Sequence, residues 1–174
     1  MYVIGKDIPS VSLRELNVLE DEELEGKSST AGIAVLQMSS PPTFAWAPLQ
    51  SDKFGLQHRA IAMVEIKNPQ GDWKIFYPEV DSGAIISVFS ESDCRRLGME
   101  LKNDDDFVLR GVLGDSCPAY VHRVELKIGN LELRPRIAFT EGRKHKALLG
   151  RLDVFEKFKI TFRQRLLQTE FQTE

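Results

Sequence analysis

Val80-Asp81-Ser82-Gly83-Ala84 closes the apolar run WKIFYPEV (73–80) and breaks it with a turn. An aspartate followed by a small hydroxyl residue and a glycine places a carboxylate on a tight bend. The glycine lets backbone amides approach that carboxylate, and the hydroxyl can bridge to a neighbouring backbone group. The bare string serves equally well for an aspartate that only caps a turn. Outward from this point the sequence is strand-like. Upstream, HRAIAMVEIK (58–67) reads as a strand, and Asn68-Pro69-Gln70-Gly71-Asp72 supplies a turn into the 73–80 run. Downstream, IISVF (85–89) continues as a β-branched run. Ser90 with Asp93 three positions on has the pattern of a helix N-cap, and Gly98 ends that short helix. VHRVELKI (121–128) alternates, with Val124, Leu126 and Ile128 to one side. Gly129-Asn130 turns it into LELRPRIAF (131–139). RLDVFEKF (151–158) predicts one or two helical turns with Val154, Phe155 and Phe158 on one face, and KITFR (159–163) a last strand. The chain is mainly β with one or two short helices.

The first fifty-odd residues have a different texture. Acids crowd Glu20 to Glu25, Gly, Ser and Thr follow, and three prolines with isolated aromatics lie in SSPPTFAWAPLQ (39–50). Without a periodic apolar face to offset ordering entropy, this reads as an irregular N-terminal extension, flexible or a linker. The expected organisation is an extension over 1–56, one β domain over 57–164 and a tail over 165–174. At 174 residues, 42% of them hydrophobic and ten of them phenylalanine, the chain has material for one small lobe and not for two.

Charge and cysteine usage exclude several classes. Twenty-three basic against 26 acidic residues give a net charge of −3, which speaks against nucleic acid as a partner. No apolar stretch approaches the length of a membrane span, so no membrane partner is expected. The start, MYVIGKDIPSVSL, lacks the pattern of a secretory signal. Cys94 and Cys117 have no metal-type or framework spacing, and a cytoplasmic location with reduced thiols is expected. His58, His122 and His145 share no ligand spacing, so neither a metal nor another cofactor is expected. Cys94 falls inside the helix and reads as core. Asn103–Asp106 reads as a solvated loop, and Arg143-Lys144-His145-Lys146 is too short a basic run for a nucleic-acid site. Trp46 and Trp73 read as packing residues.

A second signal follows the first. Arg110-Gly111-Val112-Leu113-Gly114-Asp115 is a glycine-rich segment between strand-like runs, and Leu148-Leu149-Gly150-Arg151 puts two apolar residues before a glycine and a short helix. An Asp-Ser-Gly-Ala turn, a glycine hairpin and an apolar-apolar-Gly-Arg element, in that order, resemble the retropepsin-like aspartic proteases, the single-lobe relatives of retroviral proteases that include bacterial members. The resemblance runs over residues 57–164. It implies a small closed β-barrel. It also implies that Asp81 is the catalytic carboxylate, completed by Ser82 and Gly83. Ala84 and the residues of a flap over Gly111–Pro118, namely Gly111, Val112, Leu113 and Gly114, would bind substrate. Leu149 and Gly150 would pack beneath the turn. One position departs from the retroviral pattern. The acid that pairs with the Arg of the Gly-Arg element is here Ile85, so Arg151 is left to Asp153 or an acid elsewhere. Cys117 falls in the flap.

The implied chemistry needs two carboxylates, and one chain offers one Asp-Ser-Gly. The expected function is therefore a homodimeric aspartic endopeptidase, with two Asp81 carboxylates activating water on extended, mainly apolar peptide or protein substrates. The alternative is a catalytically idle β-barrel of the same type that serves as a dimerisation or peptide-binding module. Pro41–Trp46, apolar and proline-rich, is read either as an inhibitory segment in the cleft, or one cut in trans, or as plain linker.

Overall fold

Local signals place the strands where β-branched and aromatic residues alternate with polar ones. The computed structural model describes residues 40–111, 116–142 and 145–174. The chain enters through β1 (Thr43–Ala45) and a hairpin of β2 (Ala47–Ser51) and β3 (Gly55–Arg59). β4 (Val64–Lys67) and β5 (Trp73–Phe76) form a second hairpin, and β6 is the two-residue strand Glu79–Val80. β7 (Ser87–Ser90) runs directly into α1 (Glu91–Arg96). β8 (Asp106–Arg110) and β9 (Ser116–Arg123) pair antiparallel, as do β10 (Leu126–Ile128) and β11 (Leu131–Leu133). β12 (Arg136–Thr140), β13 (Leu148–Leu149), β14 (Phe158–Arg163) and β15 (Gln168–Thr173) follow, with 3-10 turns over Phe155–Lys157 and Gln164–Leu166. The mainly β class with a short helix holds.

Among the described residues the pairings give four sheets. The largest has the order β6-β13-β7-β12-β9-β8, in which β12 runs parallel to β7 and β13 parallel to β6. The others are β11-β10-β4-β5, β1-β15-β14 and β2-β3. Between them lies one apolar cluster that includes Val64, Ile66, Phe76, Phe89, Leu126, Ile128, Ile137, Phe139, Leu149 and Phe171. Each such side chain contributes roughly 1.5–3 kcal/mol when taken fully out of water.

Three continuous runs in the sequence are each two strands in different sheets. Residues 58–67 divide between β3 and β4, 73–80 between β5 and β6, and 131–139 between β11 and β12. Pro78 and Pro135 stand at two of these breaks, where a residue without an N–H ends one ladder before the next begins. The predicted helix over 151–158 shrinks to the 3-10 turn Phe155–Lys157, because Asp153 takes a left-handed φ of 63° and stops an α-helix there. Val154 and Phe158 are nonetheless buried, as the pattern requires.

The segment around Pro41–Trp46 differs most from its reading as linker or cleft occupant. Thr43–Ala45 pairs with Gln168–Glu170, Phe44 packs edge-on against Phe171, and Trp46 Nε1–H donates to Thr169 Oγ1 at 2.8 Å. Pro42 lies against the Gly129 turn, where an added Cβ would sit 2.6 Å from its ring. These contacts hold the segment in a sheet, and Pro41–Glu174 forms one compact unit.

Candidate active site

β6 and β13 run side by side, and the chain leaves both at the same end. The Asp81 N–H donates to the Leu149 carbonyl at 3.0 Å, and the Ala84 N–H closes the turn on the Asp81 carbonyl at 3.2 Å. Gly83 N–H donates to Asp81 Oδ1 at 2.8 Å and fixes the carboxylate over the bend. Asp81 is half-buried, and Ser82 and Gly83 are exposed. An added Cβ at Gly83 would lie 3.2 Å from that same oxygen, so the glycine permits the close approach.

The segment after β13 is stitched to this turn. Arg151 N–H donates to the Ala84 carbonyl at 3.1 Å and Leu152 N–H to the Ile85 carbonyl at 2.8 Å. Gly150 N–H donates to the hydroxyl of fully buried Ser87 at 3.0 Å. Leu149 is fully buried beneath. Asp81 therefore presents a carboxylate that takes one backbone donor and, among the described residues, no ion-pair partner. Such a group can accept a proton or a hydrogen bond from a ligand.

No protein-family model matches the chain. Over 97 residues it is 33% identical to DNA damage-inducible protein 1 of Yarrowia lipolytica (strain CLIB 122 / E 150), a match covering 55% of this chain and 24% of that protein. The chain thus spans about a quarter of that relative's length. Similar solved structures include a retropepsin-like aspartic protease from Rickettsia conorii, 17% identical, with a TM-score of 0.47 over 72% of this chain and 98% of that one. Another is the EIAV protease complexed with the inhibitor HBY-793, 18% identical, with a TM-score of 0.44 over 59% of this chain and 88% of that one. This chain resembles the retropepsin-like aspartic proteases. Asp81, Ser82, Gly83 and Ala84 share one turn, while Gly111 directly follows β8 and is exposed. Val112, Leu113 and Gly114 lie outside the described residues.

Other expectations resolve around this turn. Asp153 is not a partner of Arg151. It receives Arg136 through Nε at 2.7 Å and Nη2 at 2.9 Å, with the Arg136 N–H at 3.0 Å. These contacts hold its carboxyl down at about 2. Among the described residues Arg151 makes no ion pair. With Ile85, Leu152, Phe155 and Glu156 it lines an open groove of about 320 Å³ beside the turn. His122 is a packed histidine, with its ring 5.5 Å edge-on from Phe139 and Nε2 3.0 Å from the Leu101 carbonyl. Burial pushes the Cys94 thiol up to about 11, far from the range of a nucleophilic cysteine. Among the described residues no three His, Cys, Asp or Glu side chains converge as metal ligands, and no helix is long and apolar enough to cross a membrane.

Sequence reasoning missed Ser87, the buried hydroxyl that joins the two loops. Its signal was weak: a lone serine inside the apolar run IISVF. It also missed a charged group on the outward face of β6, formed by Arg59 and Glu79, whose head groups approach to 3.5 Å.

Proposed function

We propose that the chain is an aspartic endopeptidase that works as a homodimer, with Asp81 of each copy facing the other. The single observation that carries this is the Asp81 turn, a solvent-reaching carboxylate pinned by the Gly83 N–H at 2.8 Å and braced through Leu149. One such turn per chain makes a second copy necessary for a two-carboxylate site. Two carboxylates held close cannot both ionise easily, so the pair keeps one shared proton. One carboxylate takes a proton from water as the water oxygen attacks the scissile carbonyl carbon, and the other gives its proton to the carbonyl oxygen. Collapse of the tetrahedral diol breaks the C–N bond, with proton transfer to the leaving amine.

In this reading Gly111–Pro118 is the flap, and Gly111, Val112, Leu113 and Gly114 bind the peptide together with Ala84. The catalytic unit is 57–164, braced by 41–56 and 165–174 through the β1-β15-β14 sheet. Two free cysteines, Cys94 and Cys117, suit a reducing, cytoplasmic setting.

The test is replacement of Asp81 by Asn with a quenched fluorescent peptide pool as substrate, between about pH 3 and 7. Wild-type cleavage is expected to rise with the square of protein concentration below the dimer dissociation constant. Asp81→Asn is expected to abolish it with an unchanged circular dichroism spectrum. Wild-type protein that cuts nothing across that range, or cleavage that survives the substitution, leaves the idle binding module as the better reading.

A further inference from the structure

Side chains on a strand alternate between faces. Pro78, Val80 and Leu149 are buried, and β6 pairs in parallel with β13, Glu79 opposite Leu148 and Val80 opposite Leu149. The outward row is therefore Tyr77, Glu79 and Asp81 on one strand line, with Lys146 and Leu148 on the other. This row leads to the candidate catalytic carboxylate, and it is charged.

Arg59 reaches the row from the far edge of β6. The Ala60 carbonyl accepts the Val80 N–H at 2.8 Å, and Ile61 bridges to Glu79. Arg59 Nη1 stands 3.5 Å from Glu79 Oε2, longer than the roughly 2.7–2.9 Å of a strong charge-assisted hydrogen bond. Arg59 Nε is buried and has no hydrogen-bond partner among the described residues. Lys146 makes no ion pair among the described residues. Partial burial, then the nearby Arg59 charge, lowers its pKa, against an opposing pull from Glu79. Beside Glu79 the row thus carries two cations, Arg59 and Lys146, and its other carboxylate, Asp81, is the candidate catalytic group. In sequence Lys146 also ends the basic run Arg143-Lys144-His145-Lys146.

We infer that the wall beside Asp81 is a specificity subsite for an acidic side chain of the bound peptide, Glu before Asp, within a residue or two of the scissile bond. Its place beside that bond rests on the reading of Asp81 as catalytic. Glu79 and Asp81 are two residues apart on an extended chain, about 6.6 Å, which matches a span of two residues in an extended bound peptide. Lys146 receives the ligand carboxylate, and Arg59 behind it supplies the second positive charge. Glu79 holds Arg59 in line and, on its own, would attract a basic residue instead. The methylenes of a glutamate find Tyr77 and Leu148 in the same row. This departs from the mainly apolar substrate expected above.

The test separates binding from cleavage. Fluorescein-labelled heptapeptides of alanine and leucine, carrying Glu, Gln, Leu or Lys at one position on either side of the centre, are titrated by anisotropy into the Asp81→Asn protein. The same peptides are offered to the wild type as substrates. The Glu peptide is expected to bind about tenfold more tightly than its uncharged Gln isostere, the worth of one hydrogen bond to a charged group. Lys146→Glu in the same background is expected to abolish that preference or turn it toward Lys, and Lys146→Arg to keep it. Equal binding of all four peptides, or preference for Leu or Lys by the parent protein, overturns the subsite. A Glu preference in binding with no cleavage by the wild type supports the subsite and overturns the protease reading alone.

Discussion

An added Cβ at Gly150 would lie 2.5 Å from the carbonyl carbon and oxygen of Ile86 and 2.9 Å from Ser87 N. These are backbone atoms of the chain leaving the Asp81 turn, and they cannot rotate aside as a side-chain tip can. The same close approach brings the Gly150 N–H onto the Ser87 hydroxyl. Gly150→Ala must therefore drive the two loops apart. The expected result is a loss of about 1–3 kcal/mol in urea denaturation, the range for forcing a methyl into a packed site. Peptide cleavage is expected to fall further than stability, because the carboxylate moves with the loop. A variant with wild-type stability and cleavage would show that the contact between the two loops is slack.

At the scale of elements, the Arg136–Asp153 pair ties the first residue of β12 to the segment that follows β13. Asp153 titrates at about 2 in the folded chain, against an ordinary value of 3.8, chiefly because of the hydrogen bond from Arg136. A folded value below the unfolded one means stabilisation that is present above about pH 4 and is lost as the pH falls toward about 2. Water screens the half-exposed Arg136, so the pair is worth on the order of 1 kcal/mol. Asp153→Asn keeps a residue that tolerates the left-handed φ and removes only the charge. Denaturant melts of both proteins are expected to differ by about that amount at about pH 6 and to converge near about pH 2. This pair also marks where the sequence stopped being legible. Local signals were read directly: Ser90 caps α1 with Asp93 in a capping box, Gly129 turns β10 into β11, and the Asp81 turn lies where its residue types put it. Partners that depend on folding were not. Asp153 is two residues from Arg151 in sequence, yet the crossing of β12 gives it to Arg136. Likewise, period-two alternation is the same on either side of Pro78, so it does not say that β5 and β6 belong to different sheets. The charged row beside Asp81 draws its members from positions 59, 79 and 146, and only the Ile61–Glu79 bridge and the β6–β13 pairing bring these segments together.

For the whole unit, the two ends of the described chain meet in one sheet. β1, at Thr43–Ala45, and β14, at Phe158–Arg163, both pair with β15. Phe171 on β15 is fully buried, with Phe44 5.6 Å and Phe158 5.4 Å away, both edge-on. Neither polar-looking end carried an apolar period long enough to declare this, since each strand contributes one or two aromatics to a cluster completed by the other. Through Thr169 and Phe171, both fully buried, the strand over Gln168–Thr173 belongs to the packed unit. Phe171→Ala removes a ring from a site lined by two others and is expected to cost about 3–5 kcal/mol. Deleting 165–174 leaves β1 without a partner and uncovers Phe44 and Phe158 together. In a cooperative unit that loss is shared by every element, including the Asp81 turn several strands away. Thermal melts followed by circular dichroism are expected to show a large downward shift for Phe171→Ala and no folding transition for the deletion. Peptide cleavage by the deletion variant is expected to vanish with the fold. A deletion variant that melts like the wild type and still cuts peptide would return these residues to the role of a tail.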